Sequence, residues 1–272
     1  NQINSKFLFI LIIMSIMIYF FIFNKYKNYK KHLLTNFSKP FHKLVDNQKN
    51  EIYRLEALFE NRMLTEEMIT LSMKSFCQNT INILENIFQA ITGKEVNICI
   101  KVFDINKPWE NDINKMQVST LCRSSKSMPE RCEIDNKPVR VVDNTDFLTI
   151  LKDGNPLFAS SNLIKFEKNY SKINKIYLNS NPNWKNFYRS TIVVPIRIHT
   201  CYLPKSLNKR PSQDYHIMGF LCVDSMSTAT FENDKTIMYY TEITYAVADL
   251  LYRYLERCSY YLRFLERSSS MR

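Results

Sequence analysis

The cysteine side chains are the groups of this chain best suited to nucleophilic or redox chemistry. There are seven of them: Cys77, Cys99, Cys122, Cys132, Cys201, Cys222 and Cys258. The count is odd and no two are spaced as C-x-x-C, which predicts a reducing compartment and small apolar roles rather than a disulfide framework. Cys99 and Cys222 stand inside apolar, strand-like runs, so we expect both in the core.

The nearest approach to a metal site is the group His199, Cys201 and His216, to which Cys122 or Cys132 could be added. Structural and catalytic zinc sites draw their ligands from short, fixed spacings, which this group lacks. We therefore expect no metal ion to bind there.

Enzymatic motifs are missing from the chain. It has no G-x-S-x-G, P-loop or H-E-x-x-H pattern, and its three glycines leave little to cradle a phosphate. We therefore predict no catalytic residues and no enzyme. The alternative is a reactive thiol at Cys122 or Cys132, because the neighbouring Arg123 and Arg131 would lower a thiol pKa.

An apolar segment near the start predicts a membrane anchor over residues 1–24. Residues 7–23 read FLFILIIMSIMIYFFIF and hold no charge. At about 1.5 Å per residue they would cover roughly 25 Å, close to the lower limit for a hydrocarbon core. They end in large side chains, which argues against a cleaved signal peptide. Because four lysines follow at residues 25–31 and only Lys6 precedes, we predict a single pass through the inner (cytoplasmic) membrane with the C-terminal domain cytoplasmic.

The net charge of +11 belongs largely to this membrane-proximal part. Seven of the 37 basic side chains stand before Asp46, and none of the 26 acidic ones does. Such lysines attract anionic lipid headgroups, by about 1 kcal/mol each near the surface. The remainder shows neither a basic recognition helix nor interleaved arginines and aromatics, so we expect no nucleic-acid binding.

Two long helices are predicted. The first, within residues 47–92, restarts near a Thr65 cap, ends at Gly93, and carries a seam of Ile69, Met73, Phe76, Thr80, Ile83, Ile87 and Ala90. The second, residues 232–266, carries a heptad seam of Ile237, Tyr240, Thr244, Val247, Leu251, Tyr254, Cys258, Tyr261 and Leu265. The second helix should pair either with the first or with its own copy in a coiled-coil homodimer.

Short strands are predicted between these helices. Residues 96–103 and 117–122 form a hairpin, followed by a strand at 139–142, a short helix at 145–152 and long loops up to 185. Residues 190–198 and 217–224 are near-continuous apolar runs, so they should pair antiparallel at the centre of a sheet. Pro195 predicts a bulge or an edge in the first of them.

The residues YRSTIVVPI at 188–196, GFLCVDS at 219–225, and Phe231 with Asp234 at the next helix resemble the strand and helix-start motifs of the GAF family of GAF/PAS-like sensor domains. The resemblance covers roughly residues 68–255. It implies an α+β fold, with a six-stranded antiparallel sheet, the terminal helices on one face, and a ligand pocket on the other face under the irregular segment. Arg123, Phe147, Phe166, Trp184, Tyr188 and Arg189 would then hold a planar or anionic molecule by stacking and charge.

This resemblance implies a domain order: an anchor at 1–24, a basic juxtamembrane and helical linker at 25–64, the GAF-like domain at 65–267, and a disordered tail at 268–272. The predicted function is a membrane-anchored sensory or regulatory module that binds a small ligand or partner protein and signals through its helices. Neither the ligand nor any cofactor is identified. The alternative is a scaffold that docks a partner without a ligand, which a pocket filled by roof side chains would favour.

Overall fold

The computed structural model of the protein describes residues 2–104, 112–124, 137–202, 215–228, 230–231 and 234–270, with few side chains before Phe37. Within these ranges the helices are α1 (Gln2–Glu60), α2 (Glu66–Thr92), α3 (Thr145–Leu151), α4 (Leu163–Lys172) and α5 (Asp234–Ser270). The strands are β1 (Asn97–Phe103), β2 (Gln117–Arg123), β3 (Val139–Arg140), β4 (Phe158–Ser160), β5 (Ser190–His199) and β6 (Tyr215–Ser225).

The chain divides into two compact units, Asn1–Lys43 and Leu44–Arg272. In the first unit, Phe37 and Phe41 stack with their ring centroids 5.3 Å apart. The predicted anchor, residues 7–23, falls in α1, and most of its side chains lie outside the described part of the chain. Among the residues that were searched, none forms a helix with the length and apolar character needed to cross a membrane.

The strands of the second unit form one antiparallel sheet in the order β3-β2-β1-β6-β5-β4. This confirms the predicted α+β architecture with a six-stranded antiparallel sheet. The two apolar runs pair as predicted, from Ser190 opposite Ser225 to His199 opposite Tyr215. A register shift between Ile196 and Arg197 lies beside Pro195, where a bulge was expected.

Side-chain alternation gives the central strands two different faces. In β1, Ile98 and Ile100 are fully buried on the face that α2 and α5 cover, while Cys99 and Lys101 point to the opposite face. Phe220 of β6 lies on that opposite face too, because Phe147 of α3 stacks on it. The long helices α2 and α5 thus cover one face of the sheet, and the short helix α3 with its neighbouring loops covers the other.

Helix α2 begins and ends as its sequence predicts, whereas α5, predicted over residues 232–266, runs from Asp234 to Ser270. The Thr65 hydroxyl accepts a hydrogen bond from Met68 N at 3.2 Å at the start of α2, and Gly93 ends that helix with φ of +63°. Residues 61–65 separate α1 from α2, and Arg62 there has φ of +57°. Because α2 turns its buried face toward Cys77, Ile81 and Leu84, the predicted seam fails at its end: Ile83 is only partly buried and Ala90 is exposed.

The predicted seam of α5 is buried from Tyr240 to Tyr261 within this chain. Tyr254 packs against Phe76 of α2, with ring centroids 4.1 Å apart, and Tyr261 packs against Phe59 of α1, 4.8 Å apart. The Tyr254 hydroxyl also shares a 2.7 Å hydrogen bond with Ser72 of α2. Of the two partners considered from sequence, the helix before Gly93 is therefore the one observed, joined by the end of α1.

Residues 137–189 contain more regular secondary structure than predicted. β3 has two residues and passes into a 3-10 turn at Val141–Asp143, instead of a four-residue strand. β4 and α4 were not predicted at all. β4 spans only three residues, too few to show a period. Asn162 caps the start of α4, where its side chain accepts a hydrogen bond from Lys165 N at 2.9 Å.

Candidate functional site

Three rows of opposed side chains form the floor of the candidate site. The central row runs Arg123, Cys99, Cys222, Val193 and Phe158 across five neighbouring strands. The row on one side runs Asn97, Asp224, Thr191 and Ser160, and the row on the other runs Thr120, Lys101, Phe220 and Pro195. Because opposed residues of antiparallel strands share a face, one side of the sheet presents two thiols among cations and a carboxylate.

The roof of the site is built from α3 and two loops that hydrogen-bond to one another. The Asn144 side-chain carbonyl accepts from Ser180 N at 3.1 Å and from Ser180 Oγ at 3.0 Å. Thr145 Oγ1 accepts from Leu178 N at 2.7 Å, and the Tyr188 hydroxyl accepts from Asn179 Nδ2 at 2.5 Å. These bonds hold the roof as one piece above the floor.

A cavity of about 50 Å³ remains between floor and roof. That is room for one or two water molecules. Its lining combines charged and polar groups of the floor and roof with a few apolar ones: Cys99, Lys101, Arg123, Val139, Asn144, Asp146, Phe147, Asn179, Ser180, Asn181, Tyr188, Val193, Cys222 and Asp224.

Two carboxylates face this cavity in different settings. Asp224 is buried and accepts a 2.7 Å hydrogen bond from the Thr191 hydroxyl. Burial of the Asp146 carboxyl raises its pKa from the ordinary value of 3.8 to about 7, and the nearby charge of Asp224 adds to the rise while Lys101 opposes it. Asp146 can therefore change its charge near neutral pH.

The two thiols of the floor interact directly. A hydrogen bond from the Cys222 thiol, together with the charges of Arg123 and Lys101, lowers the pKa of Cys99 to about 6, against the opposing effect of burial. The same interaction with Cys99, and burial, raise the pKa of Cys222 well above its ordinary value. The positive charges of Arg123 and Lys101 thus favour a thiolate at Cys99.

The structure divides the predicted ligand residues among three places. Arg123, Phe147 and Tyr188 line the cavity. Trp184 and Phe166 belong instead to the aromatic cluster beside it, where Tyr177 contacts both rings at 5.3 and 5.9 Å. Arg189 is exposed and lines a separate, open groove with Lys165 and Lys168.

Sequence reasoning missed five ionisable residues of the cavity: Cys99, Lys101, Asp146, Cys222 and Asp224. Cys99 and Cys222 were expected only in the core. The alternation of β1 and β6 does place these residues on one face. Their meeting depends on the strand register, which the sequence alone does not fix.

The other sequence candidates lie away from this cavity. Cys122 stands opposite Ile100, and its thiol contacts Cys77 of α2, so it lies on the helix-covered face, away from the Arg123 side chain. His216 Nδ1 lies 3.0 Å from the Tyr252 hydroxyl. No cluster of three or more potential metal ligands occurs among the residues searched, and Cys132 is outside the described ranges.

Comparison with known proteins identifies similar structures but no family. No family model matches the chain, and no curated protein is similar to it. Similar solved structures include the GAF domain of an Acinetobacter phosphoenolpyruvate-protein phosphotransferase, at 12% identity, covering 78% of this chain and 92% of that one, TM-score 0.40. A far-red cyanobacteriochrome photoreceptor matches at 14% identity, covering 74% and 98%, TM-score 0.41. A type II free methionine-R-sulfoxide reductase from Thermoplasma acidophilum matches at 16% identity, covering 67% and 94%, TM-score 0.39.

Proposed function

We propose that this chain is a membrane-tethered sensory module that binds a small polar molecule in the cavity between the sheet and its roof. The observation that carries the proposal is the convergence of Arg123, Lys101, Asp146 and Asp224 on one cavity. Buried charged groups cost free energy unless they are paired or used. A pocket that presents both signs of charge suits a small ligand with complementary polar groups.

The volume of the cavity limits the ligand that fits without a rearrangement. About 50 Å³ accepts a molecule of very few heavy atoms. A larger ligand would have to lift the roof, which is held by the Asn144–Ser180 and Thr145–Leu178 hydrogen bonds. Binding would then replace those hydrogen bonds with contacts to the ligand. The ligand would thereby favour the conformation with the lifted roof over the closed one.

A direct connection joins the cavity to the helices. The Gln78 side chain of α2 donates a 2.7 Å hydrogen bond to the backbone carbonyl of Arg123. Ser72, further along α2, is hydrogen-bonded to Tyr254 of α5. A movement of Arg123 would thus reach the packing of α2 on α5, and double-mutant cycles on these pairs would measure the coupling.

The test is calorimetric titration of the detergent-solubilised full chain with a panel of nucleotides and second messengers. We expect a bound compound to lose at least tenfold in affinity on Arg123→Met or Lys101→Met. The matched control, Arg189→Met, changes an exposed arginine outside the cavity and should bind normally. Absence of any binding by a folded chain, or equal binding by all three variants, would count against a ligand at this site.

The second candidate function is a scaffold that docks a partner protein at the membrane without a ligand. It is favoured by the filling of the space under the roof, where Phe147 stacks on Phe220 with ring centroids 4.4 Å apart and Trp184 packs against Tyr188. Partner binding that survives Arg123→Met, together with no ligand binding, would select this function.

Homodimerisation through the terminal helices is part of the proposal. The seam of α5 is satisfied within the chain, but Tyr53, Leu71, Tyr239, Tyr260 and Phe264 remain exposed on α1, α2 and α5. Large exposed apolar side chains on helices are suited to association with a second copy. Light scattering of the solubilised chain measures its oligomeric state.

A further inference from the structure

The cysteines of the central row are placed for reaction with each other. Cys99 and Cys222 are directly opposed on β1 and β6, and both side chains line the cavity. Directly opposed Cβ atoms lie roughly 4.5–5.5 Å apart, and a disulfide needs about 3.5–4.5 Å. An approach of about 1 Å between two adjacent strands would therefore allow the bond.

Cations surround this pair on the same face. Arg123 is the next residue of the row beside Cys99, and Lys101 lies two positions further along β1. Both positive charges favour the thiolate at Cys99, which is the nucleophilic form of the side chain. By contrast, Cys77 is buried on the helix face beside Cys122, without a place in the lining of the cavity.

Access restricts the oxidant. Cys99 is 2% exposed and Cys222 is 5% exposed, and the cavity above them is about 50 Å³. A disulfide of the size of oxidised glutathione does not fit that space, whereas hydrogen peroxide, with two heavy atoms, does.

We propose that Cys99 and Cys222 form a reversible cross-strand disulfide when a small peroxide enters the cavity, so that the signal sensed by this module is an oxidant. The inference rests on the proposed function, because it takes the cavity to be the sensory site and names the class of molecule that acts there.

The chemistry balances with the peroxide as the oxidant. The Cys99 thiolate attacks one peroxide oxygen, the O–O bond breaks, and the departing hydroxide takes up a proton to give water. The Cys222 sulfur then attacks the sulfur of the Cys99 sulfenic acid as its thiol proton is lost. The S–O bond breaks and a second water leaves. Two electrons pass from the two thiols to the peroxide, and a dithiol reductant reverses the change.

The experiment maps the thiols of the full chain in detergent. Reduced protein is treated with a small excess of hydrogen peroxide, unfolded in the presence of N-ethylmaleimide, digested without reductant and analysed by mass spectrometry. We expect a peptide pair joined through Cys99 and Cys222, two hydrogens lighter than the separate peptides, that disappears on treatment with dithiothreitol.

Variants assign the roles within the pair. In Cys222→Ser the linked pair should vanish, and dimedone, which traps sulfenic acids and is added as the protein is unfolded, should label Cys99. In Cys99→Ser the linked pair should vanish without dimedone labelling at Cys222. The matched control, Cys201→Ser, removes an exposed thiol and should leave the yield of linked peptide within twofold of the unmodified chain.

The proposal is overturned if Cys99 and Cys222 both remain alkylated by N-ethylmaleimide while Cys201 is oxidised, or if the two join other cysteines instead. This readout uses no other ligand, so it separates the two proposals. A linked pair without any binding in the calorimetric panel would refute the binding of nucleotides or second messengers and leave the redox inference standing. Binding without a linked pair would remove the redox inference alone.

Discussion

At the scale of residues, the cavity owes its character to the charged groups that face it. Arg123 and Lys101 are the cations facing it, and Asp146 and Asp224 are the carboxylates. Asp224 accepts a hydrogen bond from the Thr191 hydroxyl, whereas Asp146 accepts one from the adjacent Phe147 N, at 2.9 Å. Enclosure under the roof raises the pKa of the Asp146 carboxyl.

Replacing Asp146 by Asn should change the pH dependence of stability. Its pKa of about 7 in the folded chain exceeds 3.8 in the unfolded chain, so between these values the folded chain holds a proton that the unfolded chain has released. Stability of the parent protein must then fall as pH rises from about 4 to 7, and Asp146→Asn should lack this loss. We expect the variant to be more stable at pH 8, on the order of 1 to 4 kcal/mol, and little changed at pH 4.

Urea unfolding at several pH values measures this difference. Asp153→Asn, at an exposed position after α3, is the control and should leave the pH profile unchanged. Parallel profiles for Asp146→Asn and the parent protein would show that the Asp146 carboxyl is not held in its neutral form.

At the scale of elements, the register of β1 against β6 decides whether the site exists. Gly219 stands opposite Val102, and a Cβ placed on it would lie 2.1 Å from the Lys101 backbone carbonyl oxygen. That close approach belongs to the same strand pair that brings Cys99 to Cys222. The glycine is required there for space rather than for an unusual φ.

We expect Gly219→Ala to destabilise the protein by roughly 2 to 4 kcal/mol, because the obstacle is backbone and a flexible side chain cannot make room. Gly154→Ala provides the comparison: it meets nothing within 4 Å, but its φ of +69° suits glycine, so the cost should be about 1 kcal/mol. Thermal or urea unfolding ranks the two. A smaller loss at Gly219 than at Gly154 would contradict the tight β1–β6 packing.

The sequence predicted elements better than it predicted their assembly. The β5 and β6 runs, the caps of α2 and the α5 seam follow from local pattern and were found where expected. β4 and α4 were not predicted, because such short elements carry little periodic pattern. Three of the predicted site residues line the cavity. Cys99 and Cys222 were not predicted there, because an apolar run does not show which residue of the partner strand lies opposite each of its own.

At the scale of the whole molecule, tethering remains a prediction about residues 7–23. Their 17 side chains carry no charge. Water is a poor environment for such a run, whereas a bilayer core accommodates it. The reducing cytoplasm predicted for the second unit would also keep the Cys99–Cys222 pair in its thiol form until an oxidant appears.

Cell fractionation tests the tether. We expect the full chain to sediment with membranes, to resist extraction with alkaline carbonate, and to be released by detergent, since an embedded helix is held by apolar contacts rather than by charge. The control is a chain that begins at Leu44, which lacks the apolar run and should stay in the supernatant if it folds. Recovery of the full chain in the soluble fraction would refute the tether.

The sheet separates two populations of side chains with a single layer of backbone. In β1 and β6, successive side chains point to opposite faces: one lines the cavity, and the next packs against α2 or α5. Substitutions of the residues that line the cavity would change its chemistry while the packing of the helices on the other face stays the same. Bending of the strands, in contrast, moves both faces of the sheet together, because the side chains of both faces are attached to the same backbone.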